Sequence, residues 1–459
     1  MGFHTELAIR PAKRPDPMRE IRRLKSIECG IEAAKHFALG EGYRNLNHGS
    51  FGTYPTAIRD VLRHYQEAAE ERPDKFIRYE YPKLLDESRE LVANLLNAPT
   101  DTIVLVPNAT SAFNTVVRNL VFKPDDVIVY YGTIYGACEK TLDYLSEITP
   151  VEAHRISITY PVTDDDVCSA LEDKIRSLRN DGKNVRLAIF DTIVALPGVR
   201  MPFERLTDLC HKLGVSSCID AAHSIGQIEV NLETLNPDYY FSNCHKWLHV
   251  PRGCCVLYVP KRNQSLMRST LPTSHYFIAV SQEGKLALIN PLPPSANSDF
   301  VLNFEFVGTI DSSPYLCIPS AIEWRSKLVW NGLQGEQAIL GYIHGLAREG
   351  GAKVAQMLGT EVLDNTDKTL QNCAFSNVAL PLSWNDVVGG DSKKAVKVAQ
   401  WIARVLAEEY DTFIAIIFFG ERFWMRISAQ VYLTIEDFEW GGKVLAEVCE
   451  RVKKREWDD

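Results

Sequence analysis

The sequence predicts an α/β protein, with a large domain whose mainly parallel sheet lies between helices and a smaller α+β C-terminal domain. Three observations carry that expectation. Strand-like and helix-like segments alternate from about residue 56 to 260, and the texture shifts to long helices after residue 320. A chain of 459 residues with 46% hydrophobic side chains can also bury a large core.

In chain order, residues 1–55 read as an arm followed by a helix. The arm is locally basic (Arg10, Lys13, Arg14, Arg19, Arg22, Arg23, Lys25), with Asp16 and Glu20 interrupting it. The large domain spans 56–320. Its candidate strands are 102–106, 127–131, 186–190, 216–220, 239–242 and 254–259, short β-rich runs of the kind buried on both faces. Residues 112–120, 165–179 and 203–213 carry amphipathic helical spacing between them. The small domain, 321–459, has expected helices over 321–330, 334–357, 393–410 and 435–453. Residues 413–419 form the longest apolar run, far short of the ~20 residues a membrane helix needs, and read as a buried strand. Residues 385–392, with Gly389 and Gly390, read as a surface loop.

Composition excludes several functions. A net charge of −9 argues against nucleic-acid binding, and no membrane association is expected. No apolar core of a secretory signal follows the basic arm. The 11 cysteines are odd in number and scattered, without a C-x-x-C pair, and Cys254 and Cys255 lie in an apolar run. Reduced thiols in a cytoplasmic setting are expected, and no metal site.

Polar residues collect where strands end, and in doubly wound sheets ligands bind there. Asp220 ends one strand and is followed by Ala221, Ala222 and His223. Ser242, Asn243, Cys244, His245 and Lys246 follow the next strand end. Asn108, Ala109, Thr110 and Ser111 follow the first strand and open a helix, whose free backbone N–H groups suit a phosphate. Each piece has a plainer reading: a surface lysine, a loop-capping acid, an ordinary N-cap. Their order and their common place after strands favour a shared site. A phosphate, a carboxylate and a lysine on one rim suggest pyridoxal phosphate, which needs a lysine for its covalent link and an acid opposite its pyridinium nitrogen.

Asp220 and His223 with Lys246 some 22 residues on, joined by Leu46–Gly52, Pro251–Gly253, Phe306–Thr309 with Asp311, and Arg426–Ser428 with Glu436 and Asp437, resemble the class V aminotransferases. The resemblance covers roughly residues 40–450 and lies in the isopenicillin N epimerase-like branch. It implies fold type I, with a seven-stranded sheet in the large domain, a small-molecule amino-acid substrate, and a homodimer with shared active sites. It further implies that Lys246 carries the cofactor and moves the α-proton, and that Asp220 keeps the ring nitrogen protonated. His223 is implied near the ring hydroxyl and Tyr135 over the ring. Thr110, Ser242 and His245 are implied at the phosphate, with Asn108, Ser111 and Asp191 also cofactor-binding. Thr309 is implied to reach a neighbouring subunit's phosphate. Arg426 would grip the substrate carboxylate, whose guanidinium fork suits it, and Asn47 and His48 would line the substrate pocket. Cys138 and Cys244, the thiols nearest the site, read as packing residues.

Within that branch the chain resembles fungal hercynylcysteine sulfoxide lyases and the loline-pathway enzymes that form a carbon–carbon bond. Further stretches carrying the likeness are Thr133–Cys138, Leu271–His275, Asn303–Thr309 and Ser428–Tyr432. Two departures from the lyase pattern stand out. Ile156 follows Arg155 where the lyases have a cysteine, and Val194 and Ala195 precede Leu196–Gly198 where they have two serines. If these positions line the pocket, it has lost polar partners for a sulfoxide, which favours a Mannich cyclase over a carbon–sulfur lyase or an aminotransferase. With Lys246, Asp220, His245 and Arg426 all present, a catalytically inert scaffold is disfavoured.

Overall fold

The computed structural model describes residues 16–268, 271–272, 277, 279, 281 and 295–458. Arg10, Lys13 and Arg14 of the basic arm and residues 273–275 of the Leu271–His275 stretch lie outside the described residues.

Seven strands form the central sheet: β1 (Ile103–Val106), β2 (Asp126–Tyr131), β3 (Glu152–Ile156), β4 (Asn184–Asp191), β5 (Ser216–Asp220), β6 (Tyr239–Asn243) and β7 (Cys255–Tyr258). Their order is β1-β7-β6-β5-β4-β2-β3. Only β7 runs against the others, pairing antiparallel with β1 and β6. The remaining pairs are parallel.

Alternate side chains along these strands enter two different cores, as the period-2 pleat dictates. Val104, Ile128, Ile189 and Phe241 meet Phe113 and Val116 of α1 (Ala109–Asn119) and Leu142 of α2 (Gly136–Ile148). Ile103, Val129, Phe190 and Tyr240 enter the other core, with Val167 and Leu171 of α3 (Asp164–Asn180) and Phe203 and Leu206 of α4 (Phe203–Leu213). β3 is missing from the sequence-based candidates because it is an edge strand. Its Glu-Ala-His-Arg-Ile run is buried only at Ile156 and uses charge to blunt an open edge.

Directly after β6 comes a single turn of helix, α5 (Cys244–Trp247). Farther on, α6 (Glu336–Leu358), α7 (Ser392–Glu409) and α8 (Ile435–Lys453) accompany a second sheet of β8 (Phe375–Ser383), β9 (Ala415–Phe419) and β10 (Arg422–Ser428), antiparallel in the order β8-β10-β9. A capping box between Thr434 and Asp437 starts α8.

Three expectations here need correction. The run 413–419 is a strand only from Ala415, and that strand, Ala415–Phe419, is half-buried along its length because it forms the sheet edge and borders a cavity. The helix expected over 321–330 stops at Arg325, and Leu328–Trp330, apolar and partly β-branched, pairs as a strand with Ile27–Glu28 and Leu333–Gln334. The loop expected over 385–392 is mostly helical, since Ser383 caps a short helix over Trp384–Val388 and Asp391 caps α7. Among the described residues no helix is long and apolar enough to cross a membrane.

One buried side chain ties these parts together. Arg325 is 1% exposed. Its Nε and Nη2 each donate to the Glu336 carboxylate at 2.6 Å, Nη1 to the Trp247 carbonyl at 2.7 Å, and Nη2 to the Gly226 carbonyl at 3.1 Å. The guanidinium therefore joins the loop after β5, the turn after β6 and the first turn of α6. Arg325→Met is expected to lower stability by about 3 kcal/mol, because it strands two buried carbonyls and a carboxylate. Urea unfolding checks this; a loss below about 1 kcal/mol, the scale of a surface pair, would contradict it.

Candidate active site

The carboxyl ends of the parallel strands supply the acids. β4 and β5 finish at Asp191 and Asp220, which are register partners across the ladder and are each 3% exposed. Asp220 accepts from the Ala222 N–H at 3.0 Å and from the Cys138 thiol at 3.5 Å. Asp191 Oδ2 is buried and has no partner among the described residues. Burial raises both carboxyls above their usual range, and the charge of Asp220 adds to the effect on Asp191. Burial and then Asp220 hold the Cys138 thiol protonated, so Cys138 is a donor to the acid as well as a packing residue. Cys244 is buried in the core.

Lys246 lies in α5, just past the end of β6. Burial pushes its amine down to about 8; Asp220 pulls it up and Arg426 pushes it further down. Its Nζ is 3.1 Å from His223 Nε2. His223 itself is 3% exposed, in the loop that follows Asp220.

The stretch Leu46–Gly52 is a bracket around this lysine. His48 does not line the cavity beside Lys246. It is 1% exposed, with Nε2 2.5 Å from the Lys246 carbonyl and Nδ1 2.8 Å from the Tyr432 hydroxyl, so both ring nitrogens are committed. Gly52 has φ +66°, and a Cβ there would lie 1.8 Å from the His245 carbonyl oxygen, so no larger residue fits. Asn47 does line the cavity, and its Oδ1 accepts from Arg426 Nη2 at 2.6 Å, joined by the Ser50 hydroxyl at 2.9 Å.

Arg426 projects from the centre of the small sheet. Its Nη1 donates to the Ala195 carbonyl at 2.5 Å, and its guanidinium lies 4.5 Å over the Phe375 ring. Its hydrogen-bond partners include no carboxylate among the described residues, and its Nε is unpaired. Burial lowers it to about 10. A structural ion pair is therefore not what holds this arginine in place.

The N-terminus of α1 is fastened to the same corner. Asn108 Oδ1 accepts from the Ser111 N–H and Asn243 Oδ1 from the Ala109 N–H, both at 2.9 Å, leaving the Thr110 amide without a protein partner among the described residues. Asn243 was not among the sequence-based candidates; its place at the end of β6, two residues before His245, is the signal that could have found it. Ser242 is placed differently from the phosphate-binding role implied for it. Its hydroxyl donates to the Ala221 carbonyl at 2.5 Å and accepts from the Ile225 N–H at 3.0 Å, joining the turns after β5 and β6. His245 Nδ1 is 3.0 Å from the Cys254 carbonyl, and burial pushes the ring down to about 4.

A cavity of about 710 Å³ opens beside Lys246, His223, Asn47 and Arg426. Tyr135 lines it, 53% exposed at the start of α2. Its far wall comes from α7 and β9, including Ala399, Ala403, Ile416 and Phe418. No cysteine and no carboxylate lines it among the described residues. Of the three positions that depart from the lyase pattern, only Ala195 lines this cavity. Ile156 ends β3 inside the core, and Val194 is fully buried. Thr309 lines a different cavity, of about 590 Å³, with Arg63, Tyr81, Asp311 and Tyr315.

These residues fit pyridoxal phosphate: a buried amine of lowered basicity, a pair of buried carboxyls one of whose oxygens is unpartnered, and a capped helix N-terminus beside them. Residues 55–293 match the family model for class V aminotransferases. The chain is 38% identical to the L-cysteine desulfhydrase-like protein lolT1 of Epichloe uncinata, covering 94% of this chain and 98% of that one. It is 28% identical to the hercynylcysteine sulfoxide lyase of Schizosaccharomyces pombe, covering 92% and 98%. Its fold is similar to that of C-DES with glycine covalently linked to the PLP cofactor, at a TM-score of 0.70 and 14% identity over 88% of this chain and 96% of that one. The chain thus belongs to the class V aminotransferase family and is a pyridoxal-phosphate-dependent enzyme of fold type I.

Proposed function

We propose that this enzyme forms a carbon–carbon bond at the Cα of a bound amino acid, closing a ring by a Mannich reaction in a loline- or pyrrolizidine-type alkaloid pathway. The observation that carries this reading is the wall facing Lys246 and Arg426, apolar apart from Gln400 and with no thiol or carboxylate along it among the described residues. The departures at Ile156 and Val194 do not support it, since both lie in the core.

When bound, the cofactor supplies an electron sink for the pair left on Cα as its proton departs. Asp220, with Asp191 beside it, would hold the proton on the ring nitrogen. Tyr135 would cover the ring, and the N-terminus of α1 with Asn108, Thr110, Ser111 and His245 would take the phosphate. Thr309, remote from Lys246 within one chain, serves the neighbouring subunit's phosphate, which makes the enzyme a homodimer. Arg426 receives the substrate carboxylate through a guanidinium that has no other acid, with Asn47 fixing the plane of its fork. Lys246 then takes the α-proton. Ala399, Ala403, Ile416 and Phe418 keep water from a cyclic iminium carried on the same substrate until its carbon bonds to Cα. That ring closure needs no group to leave toward a protein acid, which agrees with the composition of the wall.

A carbon–sulfur lyase is the second reading, favoured by relatives named as desulfhydrase-like and as a sulfoxide lyase. Two assays separate the readings. S-alkyl cysteine sulfoxides, including hercynylcysteine sulfoxide, are expected to yield no catalytic pyruvate and ammonia, while α-amino acids still exchange their α-proton for deuterium. Turnover to pyruvate and ammonia would replace cyclisation with elimination.

Two further outcomes are expected. Lys246 attacks the cofactor aldehyde only as a neutral amine, so capture by the apoenzyme should rise about tenfold per pH unit below its pKa of about 8 and level off above it. A rate that keeps climbing to pH 10 would place the amine in the ordinary lysine range. Arg426→Met should lower kcat/KM for α-proton exchange about 100-fold, mainly through KM, the scale of two charge-assisted hydrogen bonds. An unchanged KM would remove Arg426 from the carboxylate site.

A further inference from the structure

Trp247, fully buried, directs its indole Nε1–H at His223 Nδ1, 3.2 Å away. The other imidazole nitrogen, Nε2, is 3.1 Å from Lys246 Nζ. An indole nitrogen can only donate, so Nδ1 must present its lone pair, and in a neutral ring the single proton then sits on Nε2. An Nε2–H in turn can only donate. Lys246 Nζ must accept it, which an amine can do and an ammonium cannot. The geometry points to Trp247 as a positioning residue that locks His223 in its Nε2–H tautomer and so presents Lys246 as a free amine.

Nothing around the imidazole competes with this assignment. The Phe375 ring packs against His223 at 5.2 Å and 73° and against Trp247 at 5.3 Å and 81°. The His223 carbonyl accepts from Gln227 at 2.7 Å, and the Trp247 carbonyl from Arg325, so both backbones are held. The charged or titratable neighbours acting on the ring are Lys246, Arg426 and His245, all of which oppose an imidazolium, as does burial. With the cofactor on Lys246, the same Nε2–H would be available as a donor to an oxygen of the cofactor ring. The inference concerns the resting site and stands whichever reaction follows.

The test uses the full-length protein with ¹⁵N-labelled histidine, as the apoenzyme at pH 9, where Lys246 is a free amine, and as the holoenzyme across the pH range. Long-range ¹H–¹⁵N correlation spectra distinguish the two neutral tautomers, and His223→Asn identifies the signal. His223 should appear as the Nε2–H tautomer in the wild type from pH 6 to 9. In Trp247→Phe both tautomers should appear, and the pH midpoint of the bound cofactor's visible absorbance should move by about half a unit or more. An Nδ1–H signal in the wild type overturns the inference, and that measurement needs no variant to fold. An unchanged tautomer with an unmoved absorbance midpoint in a folded Trp247→Phe protein overturns it equally.

Discussion

The geometry of the site depends on one buried guanidinium that is not itself in it. Arg325 is out of contact with water, and stripping it of hydration costs several kcal/mol before any bond is made. What offsets that cost is a full set of partners: two bonds to Glu336 and one each to the carbonyls of Trp247 and Gly226. A hydrophobic residue could fill the space at lower cost but could not hold two loops and a helix start at fixed separation. The Trp247 carbonyl is fixed, its indole packs against His48 and Phe375, and its N–H reaches His223. His223 in turn meets Lys246. His48 holds the Lys246 carbonyl from the opposite side, at 2.5 Å. The amine is thus set by contacts on its backbone as well as at its tip.

Around that amine the charges are deliberately unequal. Two carboxyls share the strand ends, raised by burial, and one of them has an oxygen without a protein partner. Lys246 and Arg426 are both lowered by the same burial, and Arg426 has no acid to neutralise it among the described residues. In a low-dielectric site such groups interact strongly with whatever charge is brought in. In the reading proposed above, a pyridinium nitrogen would answer the carboxyls and a substrate carboxylate the arginine. The protein bears the cost of desolvating these groups during folding, so little reorganisation is left for the moment of reaction.

Much of this was legible in the sequence, and the gaps have physical causes. Six strands of the large sheet announced themselves as apolar runs because both faces of the sheet are covered. β3 did not, because an edge strand carries charge. Asp220 and Lys246 were recognisable from their place after strands, where topology concentrates ligands. The bracket at Leu46–Gly52 was recognisable as a motif, but its mechanics were hidden. His48 looks like a substrate ligand in one dimension, whereas in three it is buried beneath the lysine backbone. Gly52 is explained by a carbonyl nearly 200 residues away in sequence. Ser242 misled for a related reason, since a hydroxyl at a strand end can bind a ligand or stitch two turns, and only the partners decide. Arg325 and Phe375 carried no local signal because their roles exist only where distant segments meet, and Asn243 showed only its place at the end of β6.

The same contrast governs how reaction specificity can be read. Ile156 and Val194 differ from the lyase pattern, yet both face the core, so their effect on the cavity can only pass through packing. Ala195 is at the cavity, but the atom engaged there is its carbonyl, which binds Arg426 whatever the side chain. The residues that form the far wall of the cavity instead belong to α7 and β9, in the last quarter of the chain. That wall is built on the small sheet, while Asp191, Asp220 and Lys246 are built on the large one. In the proposed reading, cofactor chemistry and substrate choice therefore rest on separate elements, joined through Arg426, which leaves β10 to reach Asn47 and Ala195. On that reading, a change along α7 or β9 would redirect the fate of the Cα electron pair without disturbing the groups that create it.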